Sequence, residues 1–143
     1  MTLADSNIWL ALSLSGHVFH NAAEAWFLSQ SKSQKVAFCR STQQSYLRLL
    51  TTAAVVSSYG IAPLSNDDAW LAYQGWRADT RVTYLDEPAG IEATWQTLAA
   101  RKSASPKVWM DAYLAAFAMA GGLQLVTTDK DFKQFNGLNL VVL

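Results

Sequence analysis

Cysteine is nearly absent from this chain, and so is any excess of charge. One thiol, Cys39, stands among 143 residues, which excludes an internal disulfide and points to a reducing compartment. It lies in the apolar stretch VAFC, so it reads as a small buried hydrophobe rather than a reactive group. Eleven basic residues are matched by eleven acidic ones. No net field draws in a polyanion, and attraction to nucleic acid would need a local patch or a bound cation. No apolar run reaches the ~18 residues that a membrane span requires. The opening MTLADSNIWLALSL lacks a basic lead and carries Asp5, so a signal peptide is not expected. There is no repeat, low-complexity tract or long linker. What is present is apolar: 51% of residues are hydrophobic and 15% charged, which suits a globular chain with a proper core. The expectation is a single domain over residues 1–143, located in the cytoplasm.

Hydrophobic periodicity divides the chain into alternating elements. Strands are expected at 2–4 (TLA), 35–39 (KVAFC), 81–85 (RVTYL), 123–128 (LQLVTT) and 138–143 (LNLVVL). Helices are expected at 6–14, 20–31, 41–56, 65–79, 90–102 and 107–122. Ser41 with Gln44, and Ser65 with Asp68, have the spacing of capping pairs. Gly121 and Gly122 close the last helix. Strands that alternate with helices imply an α/β fold with a mostly parallel sheet covered on both faces.

In such sheets functional groups gather beyond the carboxyl ends of the strands. Asp5 follows the first strand directly, and Asp129 and Asp131 follow the fourth. Asp111 is the one charged residue between Val108 and Gly122, and a buried unpaired carboxylate is costly. Each acid has a local explanation: Asp5 as a helix cap, Asp129 or Asp131 as a turn residue, Asp111 as a partner of Lys107. Four acids on elements that converge at one edge instead suggest a shared cation. Carboxylates packed together repel one another, and an all-oxygen set suits Mg²⁺ or Mn²⁺ better than zinc.

Four segments carry a resemblance: LADSNIWLAL, STQQSYLRLLT, WMDAYLAAFAMAGGLQLVTTDKDF and the closing LNLVVL. In order and spacing they resemble the PIN-domain nucleases, and most closely the VapC-type toxins of bacterial VapBC toxin–antitoxin pairs. The resemblance implies a Rossmann-like three-layer α/β/α sandwich with about five strands. It implies a Mg²⁺- or Mn²⁺-dependent ribonuclease acting on single-stranded or loop RNA, such as a tRNA or an rRNA loop. It also implies a homodimer and a cognate antitoxin. Asp5, Asp111 and Asp129 match the family's acidic motifs as catalytic and metal-binding residues, and Asp131 matches a fourth, less constant acid. Where that pattern has a Glu at the start of the third helix, this sequence reads Gln43, which offers an amide oxygen but no charge. Asp86 and Glu87, after the third strand, are candidates to compensate, although a polar loop before Pro88 explains them as well.

Around these acids, Asn7, Gln43 and Lys130 are candidates to support the carboxylates or touch substrate. Lys107, Arg101 and Lys102 are candidates for flanking phosphates. Trp26, Trp70 and Trp95 are assigned to the core or a dimer interface; Trp109, two residues before Asp111, is a candidate to stack an unpaired base, although burial is the commoner use of a tryptophan. His17 and His20 lack the further ligands a zinc site needs and read as surface or helix-entry residues. The competing readings are a phosphatase or phosphoacceptor domain, for which no strand ends in the required Lys, and a catalytically weak or inactive PIN-fold module that binds RNA. A DNA nuclease of the same superfamily is disfavoured because the chain has no segment for an added helical arch.

Overall fold

A computed structural model describes residues 1–143. Five short strands form one sheet: β1 (Thr2–Ala4), β2 (Val36–Phe38), β3 (Val82–Tyr84), β4 (Gln124–Thr127) and β5 (Leu140–Val142). Their order is β3-β2-β1-β4-β5 and every pairing is parallel. The helices are α1 (Ser6–Ser13), α2 (His20–Leu28), α3 (Arg40–Leu50), α4 (Ala53–Val56), α5 (Asn66–Ala78), α6 (Ile91–Ala99) and α7 (Val108–Ala120). No helix is long and apolar enough to cross a membrane.

Successive strand residues point to opposite faces, and the sheet uses this to build two cores. Ala4, Val36, Phe38 and Val126 face one layer with residues of α1, α2, α3 and α5. Leu3, Ala37, Cys39 and Leu125 face the other with α6 and α7. On the first face Trp9 stacks on Phe38 at 3.8 Å between centroids and meets Phe27 edge-on at 6.5 Å. On the second, Ala112, Ala115, Ala116 and Ala118 are fully buried. Their small side chains let α7 lie close against the strands. Cys39 is buried there too, and burial pushes its thiol above the usual range.

Three local expectations are corrected. The helix expected over 41–56 begins at Arg40 and breaks after Leu50. Thr51 donates to the carbonyls of Leu47 and Arg48, and Thr52 donates to that of Arg48; such back-bonding competes with helix propagation. The capping box is Cys39 with Thr42, not Ser41 with Gln44. His17 is buried rather than on the surface, packed 4.7 Å from the ring of Tyr59. Ser65 does cap α5, accepting from the backbone of Asp68. Trp26 and Trp95 are half-buried and Trp70 exposed, while the fully enclosed tryptophan is Trp9.

Phe38→Ala should lower unfolding stability by about 3–5 kcal/mol through lost burial and a residual cavity. Urea unfolding followed by far-UV circular dichroism measures this, and a loss under ~1 kcal/mol would contradict the central place given to the Trp9–Phe38 stack.

Candidate functional site

The pairing of β1 with β4 decides where the acids meet. Ala4 lies opposite Val126 in the register, so the residues that follow each strand emerge side by side. Asp5 occupies the N-cap position of α1, yet its side chain makes no capping bond. Its carboxylate is engaged across the sheet instead. Oδ2 accepts from Thr127 Oγ1 at 2.7 Å and from Asn7 Nδ2 at 2.8 Å, and Oδ1 accepts from Ser6 Oγ at 3.2 Å. Thr127 Oγ1 in turn accepts from Asn7 Nδ2 and from the backbone N–H of Asp129, each at 3.0 Å. Asn7 Oδ1 accepts from the Thr128 backbone at 3.2 Å. Thr127 is wholly buried, and its hydroxyl ties the ends of both strands together.

Asp129 keeps the local role that a turn residue would have. Its Oδ1 accepts from the Asp131 backbone N–H at 2.8 Å and caps the short 3₁₀ turn over Lys130–Gln134. Asp111, in the first turn of α7, lines a cavity of about 100 Å³ together with Asp5, Ser6, Ser41, Thr42 and Ser45. Burial, then the charges of Asp129, Asp5 and Asp131, raise the Asp111 carboxyl from 3.8 to about 6. Burial also raises Asp5, against the opposing effect of its bonds to Thr127 and Ser6. Lys107 does not pair with Asp111: the chain's one ion pair joins Arg81 to Asp79 at 2.7 Å.

The structure therefore brings Asp5, Asn7, Asp111, Asp129 and Asp131 to one edge, with Lys130 exposed beside them. It does not bring Gln43 into the acid cavity. Gln43 is buried, and its Oε1 accepts from Arg40 Nη1 at 2.6 Å. The helix instead presents Ser41 and Ser45, one turn apart, with Thr42 between them. The Arg101 guanidinium is held by the carbonyls of Leu98 and Ala100 and by Gln134. Glu87 accepts from Tyr113 Oη at 2.7 Å, and Asp86 is exposed; neither lines the acid cavity. Thr127 is the residue that sequence reasoning undervalued. The available signal was a polar side chain at the buried end of an apolar strand, where a hydroxyl must find partners.

The donor set is all carboxylate, amide and hydroxyl oxygen, without thiol or imidazole, and that chemistry fits a hard divalent cation. No three His, Cys, Asp or Glu residues stand at ligating separation. The repelling carboxylates would have to be drawn together by the ion they hold.

A family model described as PIN domain matches residues 2–138. Ribonuclease VapC41 of Mycobacterium tuberculosis is 53% identical over 144 residues, covering 100% of this chain and 99% of that protein. Among solved structures, M. tuberculosis VapC20, a sarcin-ricin loop cleaving toxin, superposes with a TM-score of 0.68 at 19% identity, over 97% of this chain and 98% of that one. VapBC2 of Rickettsia felis, solved bound to a DNA fragment from its promoter, gives a TM-score of 0.67 at 16% identity, over 99% and 98%. At those identities the two structures speak for a shared fold.

The raised acid sets a pH dependence of stability. A carboxyl whose folded pKa lies above its unfolded value binds its proton more tightly when folded. Its contribution is complete below the unfolded value of 3.8 and is lost as pH rises through about 6. In EDTA, the melting temperature should fall over that window, and Asp111→Asn should flatten the fall. An unchanged slope in the variant, read by thermal unfolding from about pH 4 to about pH 7, would remove Asp111 as its source.

Proposed function

The chain belongs to the PIN-domain family, and from that premise we propose that it is a divalent-metal-dependent endoribonuclease, the toxin half of a toxin–antitoxin pair that blocks translation by cutting RNA. One observation carries the reading: Asp5, Asp111, Asp129 and Asp131 converge at the carboxyl edge of a parallel sheet with no cation of the protein paired to any of them. The full-length identity to a ribonuclease supports the substrate class. Residues 1–143 are read as one PIN domain, in keeping with a match over 2–138.

In this reading Asp5, Asp111 and Asp129 hold Mg²⁺ or Mn²⁺ and are the catalytic residues, with Asp131 as a further ligand. The ion, when bound, supplies Lewis-acid stabilisation of the phosphate and a more acidic water. The protein supplies position. Thr127 and Asn7 fix the orientation of Asp5 through two bonds to one oxygen. Asn7 also fixes the strand end through the Thr128 backbone. Lys130, exposed between the two acids, is placed to meet a flanking phosphate. Gln43 acts indirectly, by holding Arg40. RNA with an unpaired segment is the substrate, and a cytoplasmic location is part of the same reading. A cognate antitoxin is its regulator. A homodimer is part of the same reading.

Purified protein should cleave a mixed tRNA and structured-RNA pool with Mg²⁺ or Mn²⁺ and not with EDTA. Asp5→Asn and Asp111→Asn should abolish cleavage. RNA binding without cleavage under any metal would instead favour the non-catalytic RNA-binding module. Thr127→Val keeps every ligand but loses the bond that orients Asp5, and should cost about 10- to 100-fold in activity or metal affinity. Titration of Mn²⁺ by calorimetry checks the second quantity, and wild-type affinity in the variant would refute the orienting role.

A further inference from the structure

Beside the acid cavity lies a second depression, of about 230 Å³, lined by Arg40, Ser41, Gln44, Trp95, Met110 and Tyr113. Ser41 and Met110 border both, so the two adjoin. Resting on the ribonuclease reading, we propose that this groove between α3, α6 and α7 is a subsite for one unpaired nucleobase of the RNA, next to the phosphate held at the acids.

The floor suits a flat aromatic ligand. Trp95 and Tyr113 stand nearly perpendicular, at 83° and 5.4 Å between centroids. Both are already oriented by their own hydrogen bonds: the Trp95 indole N–H donates to the carbonyl of Trp109 at 3.0 Å, and Tyr113 Oη donates to Glu87. Their polar atoms are therefore engaged, and what the groove offers is rigid ring surface at little further entropic cost. Met110 is 58% exposed at the rim. A thioether is a soft, adaptable contact for an aromatic ring, and its exposure next to carboxylates has no use in packing. Stacking of this kind accepts any base, because each has a π face.

The rim supplies the polarity a nucleotide needs. Gln44 is exposed and can meet a base edge with its amide. Arg40 is exposed, gives Nη1 to Gln43 and lies 5.2 Å from the Tyr84 ring centroid. That leaves guanidinium N–H groups for a phosphate. Glu87, held at Tyr113, adds a negative charge at the Tyr113 end. Charge complementarity thereby directs the sugar–phosphate chain along the Arg40 side.

The test uses one single-stranded oligoribonucleotide that the protein cuts once, and copies in which the base is removed at each position around the cut. Base–aromatic stacking contributes about 1–3 kcal/mol, or roughly fivefold to more than a hundredfold at 1.36 kcal/mol per decade. Removal of one base beside the cut should lower kcat/KM by that factor, and other removals should matter little. Trp95→Leu and, independently, Gln44→Ala should cut the intact RNA less well and shrink the difference between intact and abasic copies. The same series is titrated by tryptophan fluorescence into the Asp5→Asn protein with Mg²⁺, so that binding is read without cleavage. Base-dependent binding with no cleavage by the wild type would sink the ribonuclease reading and leave the subsite standing. Cleavage with no abasic effect at any position would overturn the subsite. So would variants that keep full base discrimination, including a case in which they lose only the binding of a protein partner.

Discussion

The Thr127 hydroxyl donates to Asp5 and accepts from Asn7 and from the backbone of Asp129, and this small junction depends entirely on β1 and β4 being parallel neighbours. The two strands are separated by some 120 residues of chain, yet their register sets the distance between their last residues to within a hydrogen bond. A slip of one residue would turn Thr127 to the opposite face and separate the two acid-bearing loops. Parallel strands make that slip expensive here, because Leu3 and Leu125 fill one core while Ala4 and Val126 fill the other. The apolar alternation of the sheet is thus what aligns its polar end.

The same junction explains an electrostatic tension. The folded chain gathers four carboxylates without a basic partner, half-buries Asp111 in a helix of alanines, and so holds that carboxyl up at about 6. Perturbed acids of this kind are concentrated at functional sites. The stability given up locally is supplied by the two cores, above all the Trp9–Phe38 stack and the fully enclosed alanine face of α7. Around the acids the remaining surfaces fall into place by chemistry: serine hydroxyls from α3 on one side, and an aromatic floor from α6 and α7 on the other.

Much of this is legible in the sequence. The continuous apolar run VAFC announces a strand buried on both faces, whereas LVV, read the same way, is a half-buried edge strand; five such runs alternating with helices imply the parallel sheet. Asp5 and Asp129 could be placed at one edge because each follows a strand at once. Asp111 drew notice as the one charge in an apolar helix. Other features were misjudged because they depend on competition between neighbours: the two threonines that break the helix after Leu50, the Cys39–Thr42 box that displaced Ser41 and Gln44, and the burial of His17 against Tyr59.

The helix α3 marks the boundary most clearly. The sequence by itself determined that a helix follows β2 and that its first turns approach the acids. It could not determine which side of that helix faces them. Each residue advances the direction by about 100°, so Gln43 and Ser45 point far apart, and the phase depends on which residues the core accepts. Tyr46 and Leu50 are buried against the sheet, and that choice leaves Gln43 off the cavity and brings Ser41 and Ser45 to it. Local pattern decides the elements and their order; the rotation of each element about its own axis, and hence the groups that meet in the site, is settled only when the layers pack.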